Sequence, residues 1–557
     1  MKPTKHVGAV VDSIEPAAWI VQLLQNLAHH PLLQLTIAVN DATDEKQAVS
    51  RSIASGITDW LLYRVIDTAI IDSNPWQKQS LHLDTPPLSL NDSPHALAGC
   101  DVILDLTHGI SDLSFFNEHQ KVWSANLATL DSRIELALLN RAPFLWIHLW
   151  DLNTSGDSAF HDDQRMASHA LPCQRYSVSD LQKLSYHALP VLFMSRLNWL
   201  ANEVPCDPST FKKQLSDQGL FDEDQALARV DAISLREDQP SPAGADPIRQ
   251  SHYTLLGKAL SLLVQQAWYR IRKKLVAERW QLAITPTVSE QPKKLSERVS
   301  KPLQEYERLV STTDVVCADP HLATRNGSSY VFFERMRKPN QNAHIAYAKL
   351  DKDANVLESG TALQTEGHLS FPFVFEHDGE HYMVPETGSC RSVSLYKATH
   401  FPDEWEFQHH LLEDINAADS IVFKHDNRWW LLTNCRSHVS VDERDELHVY
   451  FADKLTGPWQ AHTLNPVLTG VDRARMAGPV IEEAGELFRV SQYGAYRYGY
   501  GVNLSRIDEL TPSSYRESAI SRLTPETKKT VTGWRGCHSY VMNEQFTIVD
   551  RVRFAIR

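Results

Sequence analysis

Five phrases in the second half of this chain carry polar residues in matching slots. They are ADPHLATRNGSSYVFFER (318–335), SFPFVFEHDGEHYMVPET (370–387), ADSIVFKHDNRWWLLTN (418–434), AGPVIEEAGELFRVSQ (477–492) and CHSYVMNEQFTIVD (537–550). Their second positions are Asp319, Phe371, Asp419, Gly478 and His538, at steps of 52, 48, 59 and 60 residues. A polar residue closes each phrase: Glu334, Glu386, Asn434, Gln492 and Asp550. Two aspartates and a histidine in one slot, with glutamates in a second, are the residue types of proton transfer and polar-ligand binding. A lone Asp at a strand start commonly caps a turn. Two in register with a His favour a site, because ionisable groups that converge are costly unless they bind something. Arg475, just before AGP, and His538 in GWRGCHSY are candidate contacts for an anion or a hydroxyl, since a guanidinium suits bidentate recognition. His368 and Arg497 join them as substrate-binding candidates. The Tyr- and Gly-rich stretch YGAYRYGYG (493–501) is either a stacking surface for a sugar or a tight turn.

The elements that must position these residues are short strands. Each phrase reads as strand, turn, strand, with RNG, HDG or HDN turns in the first three copies. HIAYAKLD, SVSLYKAT and LHVYFAD lie between the phrases and supply outer strands. A period of 48–60 residues built from short strands is the sequence mark of a β-propeller. Five phrases predict five blades, with the first strand of each lining a central channel and its opening residue facing the axis at one mouth. QLAIT (281–285) and the terminal RFAIR are alike, which predicts equivalent blade positions and a ring closed by the two ends.

The first half reads differently. HVGAVVD, QLTIAVN, DVILDLT and PFLWIHLW are apolar strands alternating with helical stretches, which predicts an α/β domain with a mostly parallel sheet. Ser13 is the expected N-cap of a helix with Pro16 in its first turn, and Ile20, Leu23, Leu24 and Leu27 form one apolar face. The loop after DVILDLTHG is a place for a nucleotide or folate, with His108 and Asp112 as its polar residues, although neither a GxGxxG nor a GxxxxGK[ST] phrase is present. The expected organisation is an α/β domain over 1–205, a linker and long basic amphipathic helix over 206–280, and the propeller over 281–557. In that helix (251–280) Leu256, Leu260, Leu263, Ala267, Ile271 and Leu275 keep helical spacing. Arg270, Arg272, Lys273, Lys274 and Arg279 give it a peripheral contact with an anionic membrane as one use and a solvated outer face as another. Residues 288–307 read as an exposed polar loop.

Composition narrows the class. A net charge of −14 argues against a non-specific nucleic-acid binder. The 7 cysteines are scattered and never spaced as CxxC, so free thiols in a reducing cytosol are expected and no metal site is assigned. No signal peptide or membrane-spanning stretch is read, and the expected location is cytoplasmic with membrane association through 251–280.

Three resemblances refine these expectations. The first half, over roughly residues 5–200, resembles the formyltransferase-like domain of methionyl-tRNA and sugar N-formyltransferases. That family uses an Asn-x-His pair, in which Asn polarises the formyl carbonyl and His relays protons, and Asn117-Glu118-His119 has that form. The following QKVWSANLATLDS (120–132) lacks the family's Pro-containing loop and reads as a helix, so a repurposed acceptor-binding or assembly domain is expected. The phrases ADP and AADSIVF look like those of the five-bladed family 43 glycosidases. The resemblance implies Asp319 as base or nucleophile and Asp419 as the carboxylate that orients the sugar and tunes the acid. Paired carboxylates suit this chemistry because one must be charged while the other is protonated. The family's acid sits in an EGP phrase, which reads Ala477-Gly478-Pro479 here, leaving Glu386 as the candidate acid. GHLSFPFVFEHDGEHYMVPET, FPDEWEF and HDNRWWLLTN resemble the N-terminal module of plant glucosamine inositolphosphorylceramide transferases, over 315–557. Bacterial proteins pair that module with a formyltransferase-like domain, and the resemblance implies sugar or glycoconjugate handling.

The expected function is a carbohydrate-active enzyme that transfers or cleaves a glycosyl unit in surface-polysaccharide or glycoconjugate synthesis. Its partner is a sugar substrate, and a nucleotide-sugar donor is its only cofactor-like ligand. A non-catalytic glycan-binding scaffold and a sugar N-formyltransferase are the alternatives.

Overall fold

The computed structural model describes residues 4–12, 16–39, 88–89, 97–107, 120–139, 142, 144–152, 165–173, 178–202, 260–261, 264, 276–286, 295–299, 302–309, 316–337, 341–388, 391–435, 445–494, 496–525 and 534–556. The chain divides into two compact units, one built chiefly from Met1–Tyr269 and the other from Arg270–Arg436 and Asp442–Arg557.

The first unit has a seven-stranded sheet. Its elements are β1 (Lys5–Val11), α1 (Ala18–Ala28), β2 (Leu33–Val39), β3 (Leu88–Ser89), β4 (Val102–Asp105), β5 (Lys121–Ser124), α2 (Leu127–Leu139), β6 (Phe144–Leu152), β7 (Arg165–Pro172) and α3 (Val178–Ala201). The strand order is β3-β2-β1-β4-β5-β6-β7. Strands β1 to β5 pair in parallel, whereas β6 runs antiparallel to both β5 and β7. The sheet is therefore mixed, and an apolar run such as β6 carries no sign of its direction. Ile20, Leu23, Leu24 and Leu27 are buried as their spacing predicts, and Trp19 of α1 meets Tyr186 of α3 at 5.9 Å. The helix starts after Ala17, which makes no side-chain cap. Pro16 precedes the helix instead of entering its first turn; Ser13 lies outside the described residues. A Cβ on Gly8 would lie 3.2 Å from both Cys100 Sγ and a Leu97 methyl, so a bare backbone lets the Leu97–Cys100 turn press against β1.

The second unit is a five-bladed β-propeller. Blade one is β10 (Val316–Arg325), β11 (Ser328–Met336), β12 (His344–Leu350) and β13 (Val356–Leu363). Blade two is β14 (Leu369–His377), β15 (Glu380–Thr387), β16 (Ser392–His400) and β17 (Glu404–Glu413). Blade three is β18 (Ala418–His425), β19 (Arg428–Cys435), β20 (Glu446–Ala452) and β21 (Gln460–Ala461), with β22 (Leu468–Thr469) also on β20. Blade four is β23 (Met476–Glu483), β24 (Glu486–Tyr493), β25 (Gly501–Thr511) and β26 (Ser514–Leu523). Blade five joins β27 (Tyr540–Met542) and β28 (Phe546–Ile556) to β8 (Val276–Pro286) and β9 (Glu307–Arg308).

Hairpin chemistry explains the first two strands of each blade. The turns Asn326-Gly327, Asp378-Gly379, Asp426-Asn427 and Ala484-Gly485 have positive φ at both residues, the type I′ geometry that matches strand twist. The fourth turn, Ala484-Gly485, adopts the same form without an Asn or Asp to announce it. In blade five, Asn543 Oδ1 instead accepts from the backbone N–H groups of Gln545 and Phe546.

Blade faces bury one another in sequence. Phe332 and Tyr347 of blade one pack with Met383 and Phe401 of blade two. Val331 and Phe333 pack on Ile284 and Ile548 of blade five. Val490 and Leu504 of blade four meet Ala283 and Val549 of blade five. The inner strands β10, β14, β18, β23 and β27 touch in turn, and β27 touches β10, so the ring is closed.

Four sequence expectations change here. The predicted helix 251–280 gives way to strand β8 from Val276, because β8 pairs with β28 from Ile556↔Val276 to Phe546↔Pro286. Tertiary pairing overrides local helical spacing at this end. Residues 251–259, 262–263 and 265–275 lie outside the described residues, as do the proposed linker 237–247 and Cys206 and Cys390. The segments QLAIT and RFAIR do not hold equivalent positions: they lie on the neighbouring strands β8 and β28 of one blade, and the pairing of those two strands closes the ring. Residues 288–307 are not wholly an exposed loop. The short helix α4 (Leu295–Val299) and a 3-10 turn at Leu303–Glu305 bury Leu295, Val299, Leu303 and Tyr306 against blades four and five. In the first unit, residues 121–124 of the expected helix are strand β5. Among the described residues no helix is long and apolar enough to cross a membrane.

Candidate functional site

The repeated slot has a backbone cause. Asp319, Phe371 and Asp419 all have positive φ, at 49°, 41° and 50°. The strand register slips at each of these residues and again beside Gly478, so each sits in a β-bulge. Bulges re-aim a side chain next to functional sites, and a left-handed backbone at a residue as bulky as Phe is strained. Gly478 has no side chain to offer, because a Cβ there would lie 2.2 Å from the carbonyl oxygen of Tyr540.

The closing slot explains how blades are tied together at the hub. Glu386 Oε2 accepts from the backbone N–H of Asp419 in the next blade, at 3.4 Å. Asn434 Oδ1 accepts from Met476 N at 2.7 Å. Asp550 Oδ2 accepts from Asp319 N at 3.2 Å, across the closing seam. Gln492 turns back to the carbonyl of Met476 in its own blade. Glu334 does neither: its Oε1 lies 3.3 Å from His368 Nε2. The backbone N–H of Phe371, which Glu334 would otherwise serve, donates to Asp319 Oδ2 instead.

The slots form a connected set of charged and aromatic groups drawn from all five blades. His538 Nε2 is 3.0 Å from Asp319 Oδ1, and Ser539 Oγ donates to the same oxygen. His538 Nδ1 lies 2.9 Å from Asp550 Oδ2 but off the line of a hydrogen bond, so that contact is mainly coulombic. Arg475 Nε donates to Asp419 Oδ2 at 2.6 Å. The Arg475 guanidinium lies 5.0 Å from the centre of the Tyr498 ring, and that ring lies 5.1 Å from His538. Trp280 from β8 meets His538 edge-on at 4.3 Å. Asp319 and Asp419 are 7% and 3% exposed, whereas Tyr498 is 39% exposed as a residue.

Burial would raise the Asp319 carboxyl, but His538, Ser539 and Arg475 outweigh it and hold this acid below its ordinary value. Burial raises Glu334, the Asp319 charge adds to that, and His368 only partly opposes them. Burial would lower His538, yet the carboxylates of Asp550 and Asp319 raise it well above the usual histidine range. The hydrogen bond to Glu334 raises His368 against its partial burial. Two neighbouring carboxyls are thus pushed in opposite directions, the arrangement that separates an acid from a base.

Of the eight residues singled out in the sequence, the hub gathers Asp319, Asp419, Glu386, Glu334, His368, Arg475 and His538. Arg497 stands apart, with Nη1 3.9 Å from Glu278 of β8. Asp550, Ser539, Tyr498 and Trp280 are added by the structure. Asp550 shared its slot with Glu386, and Tyr498 stood in the Tyr- and Gly-rich stretch. Trp280 gave no signal, lying where a helix was expected. Gly499, at φ +67°, has only 2.3 Å between a built Cβ and Trp280, so this turn needs glycine to seat the indole. Among the described residues, Asp319, His538 and Asp550 offer metal-type ligand atoms within 4.8 Å of one another. The histidine faces Asp319 Oδ1 through Nε2 at 3.0 Å and Asp550 Oδ2 through Nδ1 at 2.9 Å, and the attraction of a raised imidazole for two carboxylates accounts for this spacing.

In the first unit, His108, Asp112, Asn117 and His119 lie outside the described residues. Asp105, at the end of β4, is buried and accepts from Thr107 N and Oγ1 and from Ser124 Oγ. Among the described residues, Cys100, Cys173, Cys317, Cys435 and Cys537 form no disulfide.

Comparison with known proteins agrees on the second unit. Residues 306–551 match the family model described as glucosamine inositolphosphorylceramide transferase 1, N-terminal. The chain is 32% identical over 231 residues to glucosamine inositolphosphorylceramide transferase 1 of Oryza sativa subsp. japonica, covering 41% of this chain and 31% of that protein. The Arabidopsis thaliana protein of the same name is 30% identical over 226 residues, covering 40% of this chain and 29% of the relative. The chain thus spans about a third of the length of the curated relatives it matches. Solved structures similar to it include Zg3597, a family 117 glycoside hydrolase of Zobellia galactanivorans, at 13% identity and TM-score 0.31, covering 43% of this chain and 84% of that one. An exo-1,5-alpha-L-arabinanase from a bovine ruminal metagenomic library matches at 14% identity and TM-score 0.32, over 44% of this chain and 94% of that one. The family match lies within the propeller unit and does not reach residues 1–205.

Proposed function

We propose that the propeller hub binds and processes a glycosyl unit of a glycoconjugate, with Asp319 as base and Asp419 as the carboxylate that orients the sugar. One observation carries this: seven residues singled out by slot and phrase, spread from Asp319 to His538, meet in one buried to half-buried charged set beside the part-exposed Tyr498. Sugars are bound by this combination, in which aromatic faces take their C–H surfaces and charged groups take their hydroxyls. The match to proteins named glucosamine inositolphosphorylceramide transferase 1 supports a sugar ligand, and an amino sugar is the first to test. A cytoplasmic location and a nucleotide-sugar donor fit synthesis better than digestion. Peripheral contact of residues 251–280 with anionic lipid belongs to the same proposal.

A screen of nucleotide-sugars and glycan acceptors, with products read by mass spectrometry, tests it. Turnover lost in both Asp319→Asn and Asp419→Asn supports the reading, and full turnover in both removes it. The second reading is a glycan-binding scaffold. It is favoured by Ala477, where the glycosidase resemblance expects the acid, and by the tight neutralisation of Asp419 by Arg475. Sugar binding without turnover, unchanged in Asp319→Asn, would select it. For residues 1–205 a formyltransferase-like fold with a repurposed, acceptor-binding role remains our proposal. It rests on the α/β organisation, and measurable binding of 10-formyl-tetrahydrofolate would return formyl transfer to consideration.

A further inference from the structure

We propose that Glu334 is the proton donor of the hub, aimed by His368. This deepens the reading above and depends on it. Glu386, the acid expected from the sequence, is engaged at the Asp419 backbone. Asn434 and Asp550 bind the next blade in the same way. Glu334 is released from that duty because Asp319 itself takes the Phe371 N–H. Its position is nevertheless fixed. It pairs with Ala318, directly before Asp319, so both carboxyls belong to one mouth of the ring.

His368 aims the group. Its Nδ1 accepts from the backbone N–H of Ala343 at 3.3 Å, which points the Nε2 side at Glu334 Oε1. The His368 side chain is 36% exposed and that of Glu334 is 11% exposed, so the imidazole links a secluded carboxyl to solvent. The charged groups that act on this pair are Asp319 from β10, His538 from the segment before β27 and Glu386 from β15. Asp319 and burial favour the protonated acid, and His538 and His368 oppose them.

In the step, the glycosidic C–O bond breaks and its electron pair goes to the leaving oxygen, which takes the Glu334 proton. The oxygen of water or of an acceptor hydroxyl bonds to the anomeric carbon and gives its proton to Asp319. Exchange with solvent, through His368 on one side, restores both carboxyls. No other reactant is required.

The test uses the full chain and a panel of phenyl and dinitrophenyl α- and β-glycosides, including amino sugars. A dinitrophenolate leaves without a proton, so it does not need the acid. Glu334→Gln should lower kcat/KM on the phenyl glycoside by about 10²–10⁴-fold and spare the dinitrophenyl one. It should also flatten the alkaline fall of the phenyl pH profile. His368→Gln should move that limb without abolishing turnover, and Glu386→Gln should show no dependence on the leaving group. Equal loss on both glycosides in Glu334→Gln, or the leaving-group pattern in Glu386→Gln, overturns this inference alone. Absence of turnover by the wild-type chain on the whole panel overturns it together with the enzymatic reading. Circular dichroism of Glu334→Gln separates chemistry from misfolding; if that variant is unfolded, the His368→Gln profile decides, and an unmoved limb overturns the proposal.

Discussion

Arg475 holds Asp419 through a 2.6 Å hydrogen bond from Nε to Oδ2, joining the strand that opens blade three to the residue that precedes blade four. Both side chains are largely buried, at 18% and 4% exposure. Breaking a buried pair from one side strands a charge, whereas removing both partners is often tolerated.

Arg475→Met should therefore destabilise the propeller by about 3–5 kcal/mol. The double variant Arg475→Met with Asp419→Asn should recover most of that loss. Urea denaturation of the single and double variants measures the coupling. Additive effects would show that the pair contributes nothing jointly.

The pH dependence follows from opposite shifts in one pair. Asp319 is depressed when folded, so its contribution is present above the ordinary carboxylate value near 3.8 and is lost as pH falls through its lower folded value. His538 is raised when folded, so its contribution is complete below its ordinary value of 6.5 and is lost as pH rises through its higher folded value. Stability should be greatest between these limits and decline on the alkaline side. His538→Gln should remove that alkaline decline, as read from thermal midpoints across pH.

Two glycines should differ in kind. At Gly478 a Cβ meets the Tyr540 carbonyl at 2.2 Å, where backbone must move. At Gly327 nothing lies within 4 Å, and the only cost is the left-handed backbone at φ +74°. Gly327→Ala should cost about 1–2 kcal/mol, and Gly478→Ala clearly more, with a lower yield of folded protein. Equal effects by chemical denaturation would refute the crowding at the blade-four bulge.

Tyr498 offers a partly exposed ring over the Arg475 guanidinium. Tyr498→Ala should weaken binding of the saccharide found in the screen by roughly 10-fold or more, and Tyr498→Phe should change it little. Calorimetric titration of the three proteins checks this. Loss of binding in Tyr498→Phe would assign the recognition to the hydroxyl instead of the ring.

The sequence by itself determined the number of blades, the hairpins and two slots of polar residues. These are local or periodic properties: Asn326-Gly327 and Asp378-Gly379 encode their own turns, and the strand, turn, strand phrase recurs in every blade. Five of the eight candidate residues, Asp319, Asp419, His538, Glu334 and Glu386, stood in the repeated slots, and a ring brings equivalent positions to its axis. Tertiary structure alone decided what has no local period. Val276–Trp280 keeps a spacing compatible with a helix and becomes a strand only because β28 offers an unpaired edge. The direction of β6 is silent in an apolar run. The separate duties of Glu386 and Glu334, identical in type and slot, depend on which acceptor reaches the Phe371 N–H first; the bulge at Asp319 settles that contest, and no one-dimensional pattern records it.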